Sequence, residues 1–161
     1  MADDRSVALP EPEALLLDLD GVLADIERRT ALVVPAVLAE LAARLPIAVV
    51  TSCPAWLADS VLNRHGFLPY VRAVVTSEDG PGKPSPAPVL LALERLGKDG
   101  AIAWMLGDNP SDVQAARAAG VIALAVAPVG IGAEAHARRL CAAGAVRLVD
   151  GGLAGLGALL G

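Results

Sequence analysis

Aromatic residues make up only 2% of this 161-residue chain, cysteines and histidines number two each, and acidic residues outnumber basic ones, 18 to 13. Each scarcity excludes something. With few rings to stack bases and a net charge of −5 in place of a basic stripe, nucleic acid is a poor partner, although a polynucleotide end stays open as a substrate. Cys53 and Cys141 are too few for a thiolate zinc site; both are expected as reduced thiols, and Cys53 as a small packing residue. His65 and His136 are expected on helix surfaces. Long apolar runs are missing too. The longest, Val121 to Ala133, is interrupted by Pro128, Gly130 and Gly132 and falls short of the roughly 20 residues that cross a bilayer, so no membrane association is expected. The start, MADDRSVALPEPEA, lacks the cationic segment and apolar core of a secretory signal, which makes a cytoplasmic protein the expectation. Its acidic, proline-bearing composition leaves open whether residues 1–12 are ordered.

What the chain does have is apolar residues, 55% of the total, enough for one domain over residues 1–161 with a substantial core. Near-continuous apolar runs predict strands at Ala14–Asp20, Ile47–Thr51, Ala73–Thr76, Ile102–Leu106, Val121–Val126 and Val146–Val149. Between them the pattern predicts helices near Thr30–Leu45, Pro54–His65, Pro86–Leu96, Pro110–Ala119 and Ala133–Ala143. Several open on proline, and Gly66, Gly97, Gly120 and Gly144 stand where helix stops are wanted. The tail, Gly151 to Gly161, adds a last short helix or frays. Strict alternation with short connections gives an α/β, three-layer Rossmann-like domain around an open parallel sheet.

Four polar stretches each follow one of these runs: DLDGV at 18–22, VVTS at 49–52, GKPSP at 82–86 and GDNPSD at 107–112. In a parallel sheet they gather along the carboxyl edge of the strands. Asp18 and Asp20, two apart, face one point; one carboxylate can attack phosphorus while the other gives and takes a proton. Gly21 lets the backbone turn away sharply. Thr51 or Ser52, with free amides at the helix start beyond Pro54, can hold a phosphoryl oxygen, and either hydroxyl alone reads equally as a helix cap. Lys83 sits in a turn where Gly82 allows close approach and Pro84 fixes the exit, a rigid positive charge for an anionic site. Asp108 and Asp112 lie one helical turn apart and can face one ion, or cap the helix begun at Pro110. Oxygen-only ligands beside a phosphate suit Mg²⁺.

Together the four stretches resemble the haloacid dehalogenase (HAD) superfamily of aspartyl-phosphate phosphatases, over about Ala14 to Asp150. The resemblance implies Asp18 as nucleophile and metal ligand, and Asp20 as general acid and base whose carbonyl also meets the ion. It implies Thr51 as the phosphoryl-binding hydroxyl and Lys83 as the lysine steadying nucleophile and phosphate. Asp108 matches the direct metal ligand, and Asp112 the acid that completes the metal shell or orients Lys83; Ser52 and Asn109 contribute backbone groups to substrate binding.

The wording SEDGPGKPSP is closest to the phosphoglycolate phosphatase-like branch, whose members carry a helical cap. Only about thirty residues separate Asp20 from Thr51, room for a short flap and one helix, so the chain is expected to be capless. Losing a cap opens the site and removes most specificity determinants. The apolar segment Ala31 to Leu45 is then a candidate interface of a homo-oligomer. The leading expectation is a Mg²⁺-dependent phosphomonoesterase acting on a phosphorylated small molecule or on an exposed phosphate of a larger substrate. A binding or regulatory protein that kept the fold and lost turnover is the alternative.

Overall fold

Six short apolar segments pair side by side, all in parallel, in a computed structural model that describes residues 7–161. In chain order the elements are β1 (Ala14–Leu17), the two-residue strands β2 (Ala24–Asp25) and β3 (Thr30–Ala31), α1 (Pro35–Ala42), β4 (Ile47–Val50), α2 (Ala55–Arg64), β5 (Ala73–Val75), α3 (Ala87–Arg95), β6 (Ala103–Gly107), α4 (Pro110–Ala118), β7 (Ile122–Val126), α5 (Ala133–Ala143), β8 (Arg147–Val149) and α6 (Leu153–Leu156). The sheet order is β5-β4-β1-β6-β7-β8, and β2 pairs with β3 as a separate antiparallel hairpin. The winding runs outward from β1 through β4 to β5, then restarts on β1's other side with β6. That reversal opens a crevice beyond the carboxyl ends of β1 and β6, where ligands settle in sheets of this type.

Alternate residues of β1 face opposite layers, as the two-residue period demands. Leu15 and Leu17 pack in one buried cluster with Leu38 of α1, Ala58 and Leu62 of α2, Phe67 and Leu156. Ala14 and Leu16 pack in the other with Val89 and Ala92 of α3, Ala116 of α4 and Leu140 of α5. Both faces of the sheet are therefore covered, which is why the strands read as continuous apolar runs.

Three differences from the expected elements have local causes. The predicted helix over Thr30–Leu45 begins only at Pro35; Thr30 and Ala31 pair with the hairpin instead, and Val34, with φ −82° and ψ 148°, is extended as a residue before proline prefers. The first strand ends at Leu17 rather than Asp20, because after Asp18 donates its amide to the Leu106 carbonyl the chain turns away, with Gly21 at φ +85°. The tail forms a single turn, α6, plus the 3-10 turn Gly157–Leu159. Of the N-terminal dozen, residues 1–6 lie outside the described residues. Residues 7–12 run against the domain: the buried Trp104 indole donates to the Pro10 carbonyl at 2.9 Å, and Arg147 donates to the Val7 carbonyl at 2.5 Å. Only the hairpin, α1 and β4 intervene between Asp20 and Thr51, and only α2, β5 and two 3-10 turns between Ser52 and Lys83, so among the described residues neither interval holds a cap. Among the described residues no helix is long and apolar enough to cross a membrane.

Candidate active site

The carboxyl edge of the sheet gathers residues of all four polar stretches around a cleft of about 220 Å³, lined by Asp18, Asp20, Thr51, Ser52, Lys83 and Asn109 together with Cys53, Ser111 and Asp112. Asp18, 6% exposed, continues directly from β1. Its Oδ1 accepts from the Leu19 amide at 2.9 Å and from Lys83 Nζ at 3.0 Å. Asp20 is exposed at the rim, where its Oδ1 accepts the Ile26 amide at 3.0 Å and ties the carboxylate to the hairpin.

Lys83 enters from a turn closed by a cis Lys83–Pro84 bond. Its buried ammonium has three acceptors: Asp18 Oδ1 at 3.0 Å, Asp112 Oδ1 at 2.6 Å and the Val50 carbonyl at 3.0 Å. Every proton of the ammonium therefore has a partner. Of the roles the sequence offered for Asp112, the structure shows the contact with Lys83 and the helix cap. Its Oδ1 meets Lys83, and its Oδ2 accepts the amides of Asp108 and Asn109, both at 3.0 Å, capping α4 in a box with Asn109.

Burial first, then the Asp112 charge, push the Asp18 carboxyl up to about 8, against the downward pull of Lys83. Burial likewise raises Asp108, which is hydrogen-bonded to Asp18. Burial works against the Lys83 ammonium, yet Asp18 and then Asp112 outweigh it, and Lys83 is held above its ordinary range. Carboxylate oxygens of Asp18, Asp108 and Asp112 lie within 4.8 Å of one another. Two of the three acids contact Lys83, and together the three form a donor set short of positive charge and made of hard oxygens, which suits a divalent cation. The side chain of Asp20 is not in that cluster.

Thr51 is buried, and its Oγ1 accepts the Cys53 amide at 3.1 Å; Ser52 is exposed. The amides at the start of α2 are less free than expected, because Glu78 reaches across from the segment after β5 and accepts the Ala55 amide at 3.2 Å. Close approach is needed at glycines other than Gly82. A Cβ on Gly82 would meet nothing within 4 Å, whereas one on Gly21 would stand 1.9 Å from Asp108 Oδ2 and one on Gly107 2.3 Å from Asp112 Cβ. Cys53 lines the cleft, and one residue corrects the sequence reading: His136, half-buried on α5, sits 2.7 Å by Nε2 from the Asp108 carbonyl, with Arg139 3.2 Å from Nδ1. A carbonyl only accepts and a guanidinium only donates, so Nε2 carries the proton and Nδ1 accepts.

Residues 32–120 match the family of haloacid dehalogenase-like hydrolases, a span holding Thr51, Lys83, Asp108 and Asp112 and starting beyond Asp18 and Asp20. Over 116 residues, 71% of the chain, it is 39% identical to the imidazoleglycerol-phosphate dehydratase of Phytophthora nicotianae, covering 26% of that protein. Over 83 residues, 51% of the chain, it is 37% identical to the phosphoglycolate phosphatase of Neisseria meningitidis, covering 35% of it. The chain thus spans 26% to 35% of the length of these curated relatives. Its fold matches that of a hydrolase from Pseudomonas syringae with a TM-score of 0.71 at 19% identity, over 89% of this chain and 95% of the other. The chain belongs to the haloacid dehalogenase-like hydrolases.

Proposed function

We propose that this protein is a Mg²⁺-dependent phosphomonoester hydrolase acting through an aspartyl-phosphate. The observation that carries the reading is the pairing of a buried carboxylate, Asp18, fixed by Lys83 at 3.0 Å, with a second, exposed carboxylate, Asp20, two residues on at the rim of one cleft. An attacking group must be held still, and an acid that serves the leaving oxygen and then water must reach solvent. Asp18, Asp108 and Asp112 would hold the ion, which when bound supplies charge that offsets the converging anions.

In the first step an Asp18 oxygen bonds to phosphorus as the bond from phosphorus to the ester oxygen breaks, and Asp20 protonates that oxygen. In the second, Asp20 takes a proton from water as the water oxygen bonds to phosphorus. The bond from phosphorus to Asp18 then breaks, releasing phosphate and restoring the carboxylate. Lys83 holds Asp18 and bears on the phosphoryl charge, while Thr51, Ser52 and Asn109 line the cleft where its oxygens would lie. Hydrolysis of a generic aryl phosphate tests the reading. Turnover should require Mg²⁺, stop with chelator and be lost in Asp18→Asn, which keeps shape but removes the attacking charge. A folded protein that binds Mg²⁺ and turns over no phosphate ester would leave only a binding role.

A further inference from the structure

Beside the catalytic cleft a groove of about 310 Å³ runs between the hairpin and one side of α2, lined by Ile26, Arg29, Trp56, Val61, Arg64 and His65 among others. It holds two guanidinium groups and no acidic residue, in a chain of net charge −5, and neither arginine forms an ion pair among the described residues. Trp56, which lines it, is 70% exposed, while the other tryptophan, Trp104, is fully buried. Arg29 has φ +57°, the one non-glycine residue in the left-handed region among the described residues, a conformation that is costly and concentrates at ligand clamps.

The groove also continues from the chemistry. Ile26, which lines it, donates its amide to Asp20 Oδ1 at 3.0 Å, and α2, which carries Trp56, opens three residues past Ser52. A leaving oxygen protonated by Asp20 must have the rest of its alcohol next to the hairpin, and the groove is the concavity found there.

We infer that this groove is the leaving-group subsite, and that the substrate is a phosphate monoester whose alcohol carries a planar ring and a second anionic group. The ring stacks on Trp56, and the anion, a carboxylate or phosphate, lies between Arg29 and Arg64. This assignment rests on the phosphatase reading. It also supplies, from the core itself, the specificity that a cap would otherwise provide.

Two measurements test it. The first is calorimetric binding of a hydroxynaphthoate, a ring and a carboxylate with no ester to hydrolyse. Wild type should bind it, and Trp56→Ala and the double variant Arg29→Gln/Arg64→Gln should each weaken binding by about tenfold, or about 1.4 kcal/mol. Arg72→Gln, on an exposed arginine outside the groove, should not. The second is the ratio of kcat/KM for a carboxylated naphthyl phosphate to that for propyl phosphate. It should favour the ring ester in wild type and fall by a similar factor in the groove variants. Turnover of both esters with a ratio indifferent to the groove variants, or hydroxynaphthoate binding equal in wild type and variants, overturns the subsite and leaves the phosphatase reading intact. Failure of that reading shows separately, as no turnover of either ester by wild type, and it removes the leaving-group role whatever the binding result.

Discussion

His136 Nε2 lies 2.7 Å from the main-chain carbonyl of Asp108, so α5 grips the loop that presents one carboxylate of the acidic cluster. Arg139 at 3.2 Å from Nδ1 fixes the ring's tautomer from behind. Partners one bond removed from a metal ligand commonly alter affinity by about 10 to 100-fold. His136→Ala should therefore weaken Mg²⁺ binding, measured calorimetrically, by about tenfold, while the thermal midpoint of the chelated protein moves little. His136→Gln, whose amide N–H can reach the same carbonyl, should recover most of the affinity. An alanine variant that binds Mg²⁺ like wild type would show the contact to be packing only.

Gly107 and Gly21 make a matched pair of tests for the two ends of the acidic cluster. A methyl group on Gly107 meets Asp112 Cβ at 2.3 Å, backbone-proximal atoms that cannot swing aside, so Gly107→Ala should push α4 outward and destabilise by about 1–3 kcal/mol in denaturant unfolding. A methyl on Gly21 meets the far end of the Asp108 side chain, which can rotate away, but the residue also has φ +85°. Gly21→Ala should cost about 1 kcal/mol of stability and disproportionately more Mg²⁺ affinity, because the displaced atom belongs to a carboxylate proposed to hold the ion. Equal losses of stability and affinity in both variants would contradict this division.

The parallel sheet was legible because strands buried on both faces leave unbroken apolar runs, and most polar residues of the cleft because they follow such a run closely, Lys83 excepted, which a 3-10 turn separates from β5. Where side chains or distant backbone made the structure, the sequence was silent. The Thr30–Ala31 strand pairs only because the hairpin turns back over it, and its residues read as helix until Pro35 is recognised as a start. His136 gives no local signal, since its partner is a carbonyl 28 positions away. Glu78 caps a helix that begins 23 residues before it. The charge balance of the cluster, three acids and one lysine, emerges only when three segments meet.

That balance predicts opposite stability effects for two substitutions at one contact. In chelator, Lys83→Met leaves Asp18 and Asp112 buried without their cation, and such losses typically cost about 3–5 kcal/mol. Asp18→Asn keeps the shape, removes a carboxyl that burial and the Asp112 charge push up to about 8, and should raise the unfolding free energy while abolishing turnover. Saturating Mg²⁺ should stabilise wild type more than Asp18→Asn, because the amide is a poorer ligand than the carboxylate. Denaturant titrations of the three proteins with and without Mg²⁺ decide it; a less stable Asp18→Asn in chelator would mean that the Lys83 contact outweighs the repulsion.

Away from the cleft, Asp79 gives the acid limit of the segment after β5. The Arg95 hydrogen bond at 2.7 Å, followed by the Thr76 amide at 2.8 Å, holds its carboxyl down to about 2 from an ordinary 3.8. A depressed value means that the unfolded chain takes up the proton more readily than the folded one. The stability Asp79 contributes is thus fully present above about pH 4 and lost as pH falls through about 2. Because the pair is open to solvent, screening keeps that contribution below about 1 kcal/mol. Asp79→Asn should lower the midpoint of urea unfolding slightly at neutral pH, and the two curves should draw together as the titration moves toward pH 2. A gap that stays constant down to acid would show that the Asp79 charge does not cause it, since an asparagine oxygen still accepts the Thr76 amide and only the ion pair with Arg95 is lost.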